Sequence, residues 1–243
     1  MKTMTLTVAN RPHYLQRMLD SLRACKGVED YMLFVGAEPL NQRCIALIQQ
    51  IDWMPVRLRV HGKILGIRHN PFETINRAFR EGSDFNLYLE DDIILSPDAV
   101  QLANWYQTLP RYEEYLALCL FRYASDPTRP TDVLLGEREG KTRFSALGLG
   151  ISKKAWDTLF APFWFDDARS KELTGETNTG WDYTVTTTLK VMEDLQFLVP
   201  AFGRSTHIGR DGGVHCKPEW HDDMFGGITI NEDSEATRYV LVD

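Results

Sequence analysis

The chain has 243 residues, 43% hydrophobic and 25% charged, with a formal net charge of −7. That is enough apolar material for a sizeable core, and the length suits a single α/β domain spanning 1–243. The acidic balance argues against sequence-blind nucleic-acid binding, which needs a surplus of Lys and Arg to displace counterions.

In chain order, residues 4–9 form a short β-rich run that stops at Asn10-Arg11-Pro12, where Pro12 suits the first turn of a helix. Tyr14, Leu15, Met18, Leu19 and Leu22 then recur at helical spacing. A second strand is expected over 31–35, ended by Gly36, and a helix over 40–51 with Cys44, Ile45, Leu47, Ile48 and Ile51 on its apolar side. Residues 56–60 alternate as a half-exposed strand, 70–80 read as a helix, and 85–89 as a fourth strand that runs straight into Glu90-Asp91-Asp92. Strand and helix thus alternate over the first 92 residues, the pattern of a mostly parallel, Rossmann-like sheet covered by helices. There is no GxGxxG after the first strand, so the dinucleotide fingerprint is missing. Ligands of such sheets bind beyond the carboxyl ends of the strands, which is where Asn10-Arg11 and the acidic triplet are delivered.

The second half is less regular. A helix is expected from Ser96-Pro97-Asp98 to about Leu109, a strand over 116–122, and a polar excursion over 125–141. A small-residue segment over 144–150 precedes a helix over 152–160, and 166–179 reads as a polar, mobile stretch. Residues 181–192 read as a helix, 197–201 as a strand, and 207–215 as Gly-rich; the tail after Trp220 is acidic and weakly patterned. None of Cys25, Cys44, Cys119 and Cys216 forms a CxxC pair, which points to free thiols and a reducing compartment rather than a zinc knuckle. The start carries one Lys before a strand and shows no secretory signal, and no apolar run approaches the roughly 18 residues of a membrane span. The expectation is a soluble, cytoplasmic protein.

Three constellations carry chemistry. Three adjacent carboxylates repel one another and are tolerated beside something positive; a hard cation, Mn²⁺ or Mg²⁺, takes one or two carboxylates and fills its shell with phosphate and water. An isolated acidic triplet is also how a solvated, helix-capping turn looks, but Glu90-Asp91-Asp92 lies between the apolar run 86–89 and Ile93-Ile94-Leu95. Trp181-Asp182 opens a helix after Gly180, so Asp182 suits general-base work or simply a helix N-terminus. The segment 207–215 offers glycines that let backbone N–H groups approach phosphate, Arg210 for bidentate pairing, and His207 or His215 to complete a metal site; the plainer reading is a surface loop. Arg11, Arg68, His69, Asn70 and Asn76 stand where they can meet a nucleotide base, ribose or phosphate.

In this order the residues resemble inverting glycosyltransferases of the GT-A fold, most of all the N-acetylglucosaminyltransferase I type and related small bacterial and phage proteins. The stretch 5–19 resembles the family's opening strand and helix, with Arg11 in the place of the Arg that reaches the nucleotide. The stretch 87–98 resembles its acidic metal motif, which implies Asp92 as the direct metal ligand and Glu90 and Asp91 as supports for the nucleotide sugar. Residues 147–152 resemble the segment beneath the donor sugar, and 207–215 the late loop that closes over the donor. Trp181-Asp182 resembles the family's Trp-Asp base motif; Phe163-Trp164-Phe165-Asp166-Asp167 is its rival, and Asp182 is preferred because a helix is expected to follow it.

The resemblance implies a nucleotide-binding half over 1–95 and an acceptor-binding, catalytic half over 96–243. It implies a UDP-sugar donor, Mn²⁺ or Mg²⁺, Arg11, Glu90 and Asp91 around the donor, Asp92 at the metal and Asp182 as base; the residue reading adds Arg68, Asn76 and Arg210 to the donor site and His215 to the metal. The acceptor is a hydroxyl on a glycan, a protein or a modified nucleobase. The chain shows no anchor or stem of the Golgi members, so their acceptor is not carried over. Alternatives are a non-catalytic sugar-nucleotide or glycan-binding protein on the same fold, a phage-type enzyme acting on modified DNA, and a nucleotidyltransferase, which needs a basic Gly-rich loop that Asn10-Arg11-Pro12 does not supply.

Overall fold

β1 (Lys2–Val8) alternates threonine with large apolar residues. Met4, Leu6 and Val8 enter one apolar cluster, while Thr3 and Thr5 face the other way and are also buried. Their hydroxyls are satisfied there: Thr3 Oγ1 lies 2.8 Å from Ser83 Oγ and 2.9 Å from Asn86 Oδ1, and Asn86 Nδ2 donates to Thr5 Oγ1 at 2.9 Å. Both faces of β1 are therefore covered, as a central parallel strand requires. The computed structural model describes residues 1–136, 143–175, 180–192, 195–213, 216–232 and 238–242.

α1 (Pro12–Arg23), β2 (Met32–Ala37), α2 (Gln42–Gln49), β3 (Val56–Val60), α3 (Gly66–Arg80) and β4 (Phe85–Glu90) follow in the expected alternation. β3, β2, β1 and β4 lie side by side in that order and all parallel. α1, α2 and α4 (Ala99–Tyr106) pack one apolar cluster against the sheet. α3 and a group of tryptophans pack the other. β4 alternates between them, with Leu87 and Leu89 in the first and Tyr88 in the second.

Beyond β4 the sheet turns mixed. β5 (Ile93–Leu95) leaves it, β6 (Leu118–Cys119) rejoins it, and β7 (Asp132–Gly136) arises within the stretch read as a polar excursion, whose last residues, 137–141, lie outside the described ones. β8 (Leu149–Ser152) takes up the end of the small-residue segment and runs antiparallel to β4. α5 (Lys153–Ala155) continues as a π turn over Trp156–Phe160. α6 (Asp167–Thr174) occupies part of the stretch expected to be a polar loop, and 176–179 lie outside the described residues. α7 (Trp181–Val191) and β9 (Phe197–Pro200) match the expected helix and strand. β10 (Ser205–His207), α8 (Pro218–Phe225) and β11 (Val240–Val242) complete the chain. The main sheet reads β11-β7-β9-β6-β8-β4-β1-β2-β3, and β5 and β10 form a second, antiparallel sheet of two strands.

α3 starts four residues earlier than the expected start at Asn70. The carboxylate of buried Glu38, one residue past β2, accepts from Leu65 N and Gly66 N, each at 2.9 Å. It satisfies two of the amides that a helix start leaves unpaired. Gly36 has no room for a side chain, since a Cβ there would stand 2.0 Å from Thr74 Oγ1 of α3. All four cysteines are free thiols, and Cys25, Cys44 and Cys119 are buried. Among the described residues no helix is long and apolar enough to cross a membrane.

Candidate active site

The register of β1 against β4 sets Thr7 opposite Glu90, so the two strands end together. Their continuations meet. Asp91 Oδ2 accepts from Ala9 N at 2.8 Å and Oδ1 from Arg11 Nη2 at 3.3 Å. The same Arg11 nitrogen donates to Asp92 Oδ2 at 2.5 Å. The guanidinium is steadied over the Tyr14 ring at 5.4 Å. Asp91 and Asp92 are each only 5% exposed, so these are buried charges that need partners.

The second sheet supplies the next group. Pairing of β10 with β5 sets His207 opposite Ile93. His207 Nε2 then lies 3.0 Å from Asp92 Oδ2, and Ile208 N donates to Asp92 O at 2.8 Å. Gly209 follows, and a Cβ there would lie 2.3 Å from Asp92 Oδ2 and 2.9 Å from Arg11 Nη1. The loop can close on the carboxylate only as glycine.

The electrostatics record the crowding. Burial pushes Glu90 up to about 8, helped next by the charges of Asp92 and Asp182; Tyr88 OH donates to it at 3.1 Å. Burial also pushes Asp91 up to about 6, helped by Asp92 and restrained by Ala9 N–H and Arg11. At Asp92 burial acts the same way, but the hydrogen bond and charge of His207, then Arg11, outweigh it and hold this carboxylate below its ordinary value. Carboxylates outnumber cations here, so the cluster attracts a further positive charge.

Asp182 stands in the first turn of α7, half-buried and within electrostatic reach of Glu90. Trp181 anchors it: its ring stacks on Trp164 at 4.2 Å and 13°, and meets Tyr88 edge-on at 5.7 Å. The tryptophans of the two rival Trp-Asp motifs are thus stacked on each other. The reason for preferring Asp182 from sequence does not hold, because α6 begins at Asp167 and a helix follows both motifs. Asp167 forms an ion pair with Arg68, and Asp182 lies within electrostatic reach of Glu90.

The remaining expected residues are more dispersed. Arg68, in the first turn of α3, pairs with Asp167 and donates to Trp164 O at 3.0 Å; its Nε is buried with no partner among the described residues. Asn76 is half-buried on α3, about 15 Å along the axis from Gly66. α3 descends from Glu38 at the carboxyl edge of the sheet toward Glu81, which pairs with Arg57 near the start of β3, so Asn76 is carried away from the acidic triplet. Arg210 is exposed and pairs with Asp222 of α8 through two hydrogen bonds of 2.9 Å. His215 lies outside the described residues.

His221 was not anticipated. On α8, its Nε2 donates to His207 O at 3.2 Å, and its ring lies 5.3 Å from that of His207. The sequence carries only a faint sign of it, the i,i+4 spacing of His221 and Phe225 behind Pro218. Among the described residues no three His, Cys, Asp or Glu side chains are grouped to enclose a metal. The available pair is Asp92 with His207, which suits a hard cation that draws its other ligands from phosphate and water.

In sequence, the chain matches no protein-family model and no curated protein. In structure, it is similar to S. aureus TarS 1–349 in complex with UDP-GlcNAc, with a TM-score of 0.62, 9% identity, and coverage of 88% of this chain and 60% of that one. TarS 1–349 in complex with UDP gives 0.60, 10%, 84% and 60%. The mannosyltransferase PcManGT from Pyrobaculum calidifontis, in complex with GDP-Man and Mn²⁺, gives 0.51, 13%, 82% and 56%. The chain therefore spans about 60% of the length of the structures it resembles. The likeness establishes the GT-A fold and does not single out the N-acetylglucosaminyltransferase I type.

Proposed function

We propose that this chain is a metal-dependent, inverting glycosyltransferase that moves a sugar from a nucleotide-diphosphate donor, a UDP-sugar, to an acceptor hydroxyl. One observation carries the reading: Arg11, Asp91, Asp92 and His207 converge at the carboxyl ends of two adjacent parallel strands, with Asp182 within electrostatic reach of Glu90. That edge is where open α/β sheets bind nucleotides. TarS and PcManGT share the fold and were captured with UDP-GlcNAc and with GDP-Man and Mn²⁺, which supports this class of donor.

Asp92 and His207 would hold the divalent cation, and the excess of carboxylates around them is the charge that such an ion balances. When bound, the metal neutralises charge that builds on the departing diphosphate. The other roles belong to side chains. Arg11, oriented by Asp91, presents its guanidinium to the phosphates. Gly209 lets the loop after β10 reach the same point without a side chain in the way. Glu90, within electrostatic reach of both Asp92 and Asp182, supports the sugar between leaving group and base. Asp182, held by the packed Trp181, removes the proton of the acceptor hydroxyl. That oxygen then attacks the anomeric carbon from the face opposite the diphosphate, and the configuration inverts.

A thermal-shift screen of UDP- and GDP-sugars with and without Mn²⁺ tests this, because a ligand that binds only the native state raises its melting temperature. A UDP-sugar should raise the midpoint in Mn²⁺ and much less in EDTA. The absence of a shift from every nucleotide sugar contradicts the proposal. A shift with neither transfer nor slow donor hydrolysis favours a non-catalytic sugar-nucleotide-binding protein.

A further inference from the structure

Phe225, at the end of α8, is the hub of an aromatic cluster that runs outward from the reaction centre. Its ring lies 4.8 Å from His207, 5.3 Å from His221 and 5.6 Å from Phe121. On its outer side it meets Trp220 at 5.6 Å, and it lies nearly parallel to Tyr123, at 6.5 Å and 26°. Tyr123 is braced again by Phe121, edge-on at 4.7 Å and 90°. Phe121 itself bridges to Ser205, the first residue of the strand that carries His207.

Phe121 and Phe225 are buried, but Tyr123 is 36% exposed and Trp220 48%. Two large, partly exposed rings that both pack on buried Phe225 form a ledge rather than a core. Tyr123 also lies within electrostatic reach of the base. Its phenol is pushed above the ordinary value by partial burial and then by the Asp182 carboxylate, so the two side chains share one electrostatic neighbourhood.

We infer that Tyr123 and Trp220, backed by Phe225, form the acceptor subsite, and that it takes a carbohydrate whose pyranose ring stacks on these aromatic faces. The inference rests on the reading of Asp92 and Asp182 as the two ends of the reaction centre. Each flat side of a pyranose offers C–H groups of slight positive charge, and the face of an aromatic ring is the negative pole of its quadrupole. The chain's net charge of −7 offers a nucleic-acid acceptor no surplus of Lys and Arg to hold its phosphates.

Saturation-transfer NMR on the whole chain, with methyl glycosides of glucose, galactose, mannose and N-acetylglucosamine as probes, tests the ledge. At least one glycoside should receive saturation, strongest on the C–H groups of one ring face. Tyr123→Ala or Trp220→Ala should weaken its binding roughly tenfold, the scale of one lost aromatic contact, while Tyr123→Phe keeps it. Trp220 is half exposed, so its variant stands if Tyr123→Ala fails to fold. No saturation of any glycoside on the wild-type chain, or unchanged binding in both alanine variants, overturns the inference. The wild-type response to UDP-sugars is read separately. Glycoside binding without a donor response defeats the transferase reading alone, and a donor response without glycoside binding defeats the ledge alone.

Discussion

Adding one methyl group, Gly209→Ala, perturbs the centre of the site and little else. The new Cβ would stand 2.3 Å from Asp92 Oδ2 and 2.9 Å from Arg11 Nη1. Relief to ordinary contact requires a shift of about 1 Å. The carboxylate cannot simply turn away, because the same oxygen accepts from Arg11 at 2.5 Å and lies 3.0 Å from His207. The loop is held as well, through Ile208 N to Asp92 O at 2.8 Å. The shift must therefore separate Asp92 from Arg11 or His207, and a misplacement of about 1 Å in a site costs up to about 100-fold in function. Overpacking by one methyl costs about 1–3 kcal/mol of stability, so the chain still folds. Calorimetric titration of UDP in Mn²⁺ should show an affinity at least roughly tenfold weaker than wild type. Wild-type affinity in a folded Gly209→Ala protein would refute the convergence of loop, Arg11 and Asp92 as the donor site.

Three other perturbations reach different links. Arg204 and Asp98 form a fully buried ion pair, with Arg204 Nε at 2.9 and 2.8 Å from the two carboxylate oxygens and Tyr239 OH donating to Asp98 Oδ2 at 2.9 Å. Arg204→Met strands a buried carboxylate and should cost about 3–5 kcal/mol in urea denaturation; a loss under about 1 kcal/mol would show that Asp98 finds other partners. Asp182→Asn keeps the shape of the first turn of α7 but removes the base. Transfer should fall by at least about 100-fold with UDP affinity retained, and normal turnover would take Asp182 out of the base role. Glu38→Gln replaces the carboxylate that caps α3 from β2 and should lower stability by about 1 kcal/mol, measured by the same denaturation; an unchanged midpoint would mean the two amides are satisfied otherwise.

The half of the fold built from local pattern was legible in the sequence. β1 to β4 and their helices follow from apolar periodicity, and the parallel order follows from their alternation. The start of α3 was misplaced because its cap, Glu38, comes from another element 27 residues earlier. β7, β10 and β11 are short, and each becomes a strand only through a remote partner: β9, β5 and β7. The site divides in the same way. Arg11, Asp91 and Asp92 could be placed together because adjacent parallel strands end at one edge. That His207 reaches Asp92, 115 positions away, depends on the pairing of β10 with β5, which no local pattern records. The preference for Asp182 over Asp166-Asp167 rested on a helix expected after Asp182 alone, and α6 provides one after the rival motif as well.

The role of Asp92 decides the central claim. Calorimetric titration of UDP into wild-type protein and Asp92→Ala, each in Mn²⁺ and in EDTA, measures it directly. Wild type should bind UDP in Mn²⁺ and lose at least roughly tenfold in affinity when the metal is chelated, and Asp92→Ala should bind weakly and indifferently to metal. Equal, metal-stimulated binding by both proteins would contradict a donor site built on Asp92.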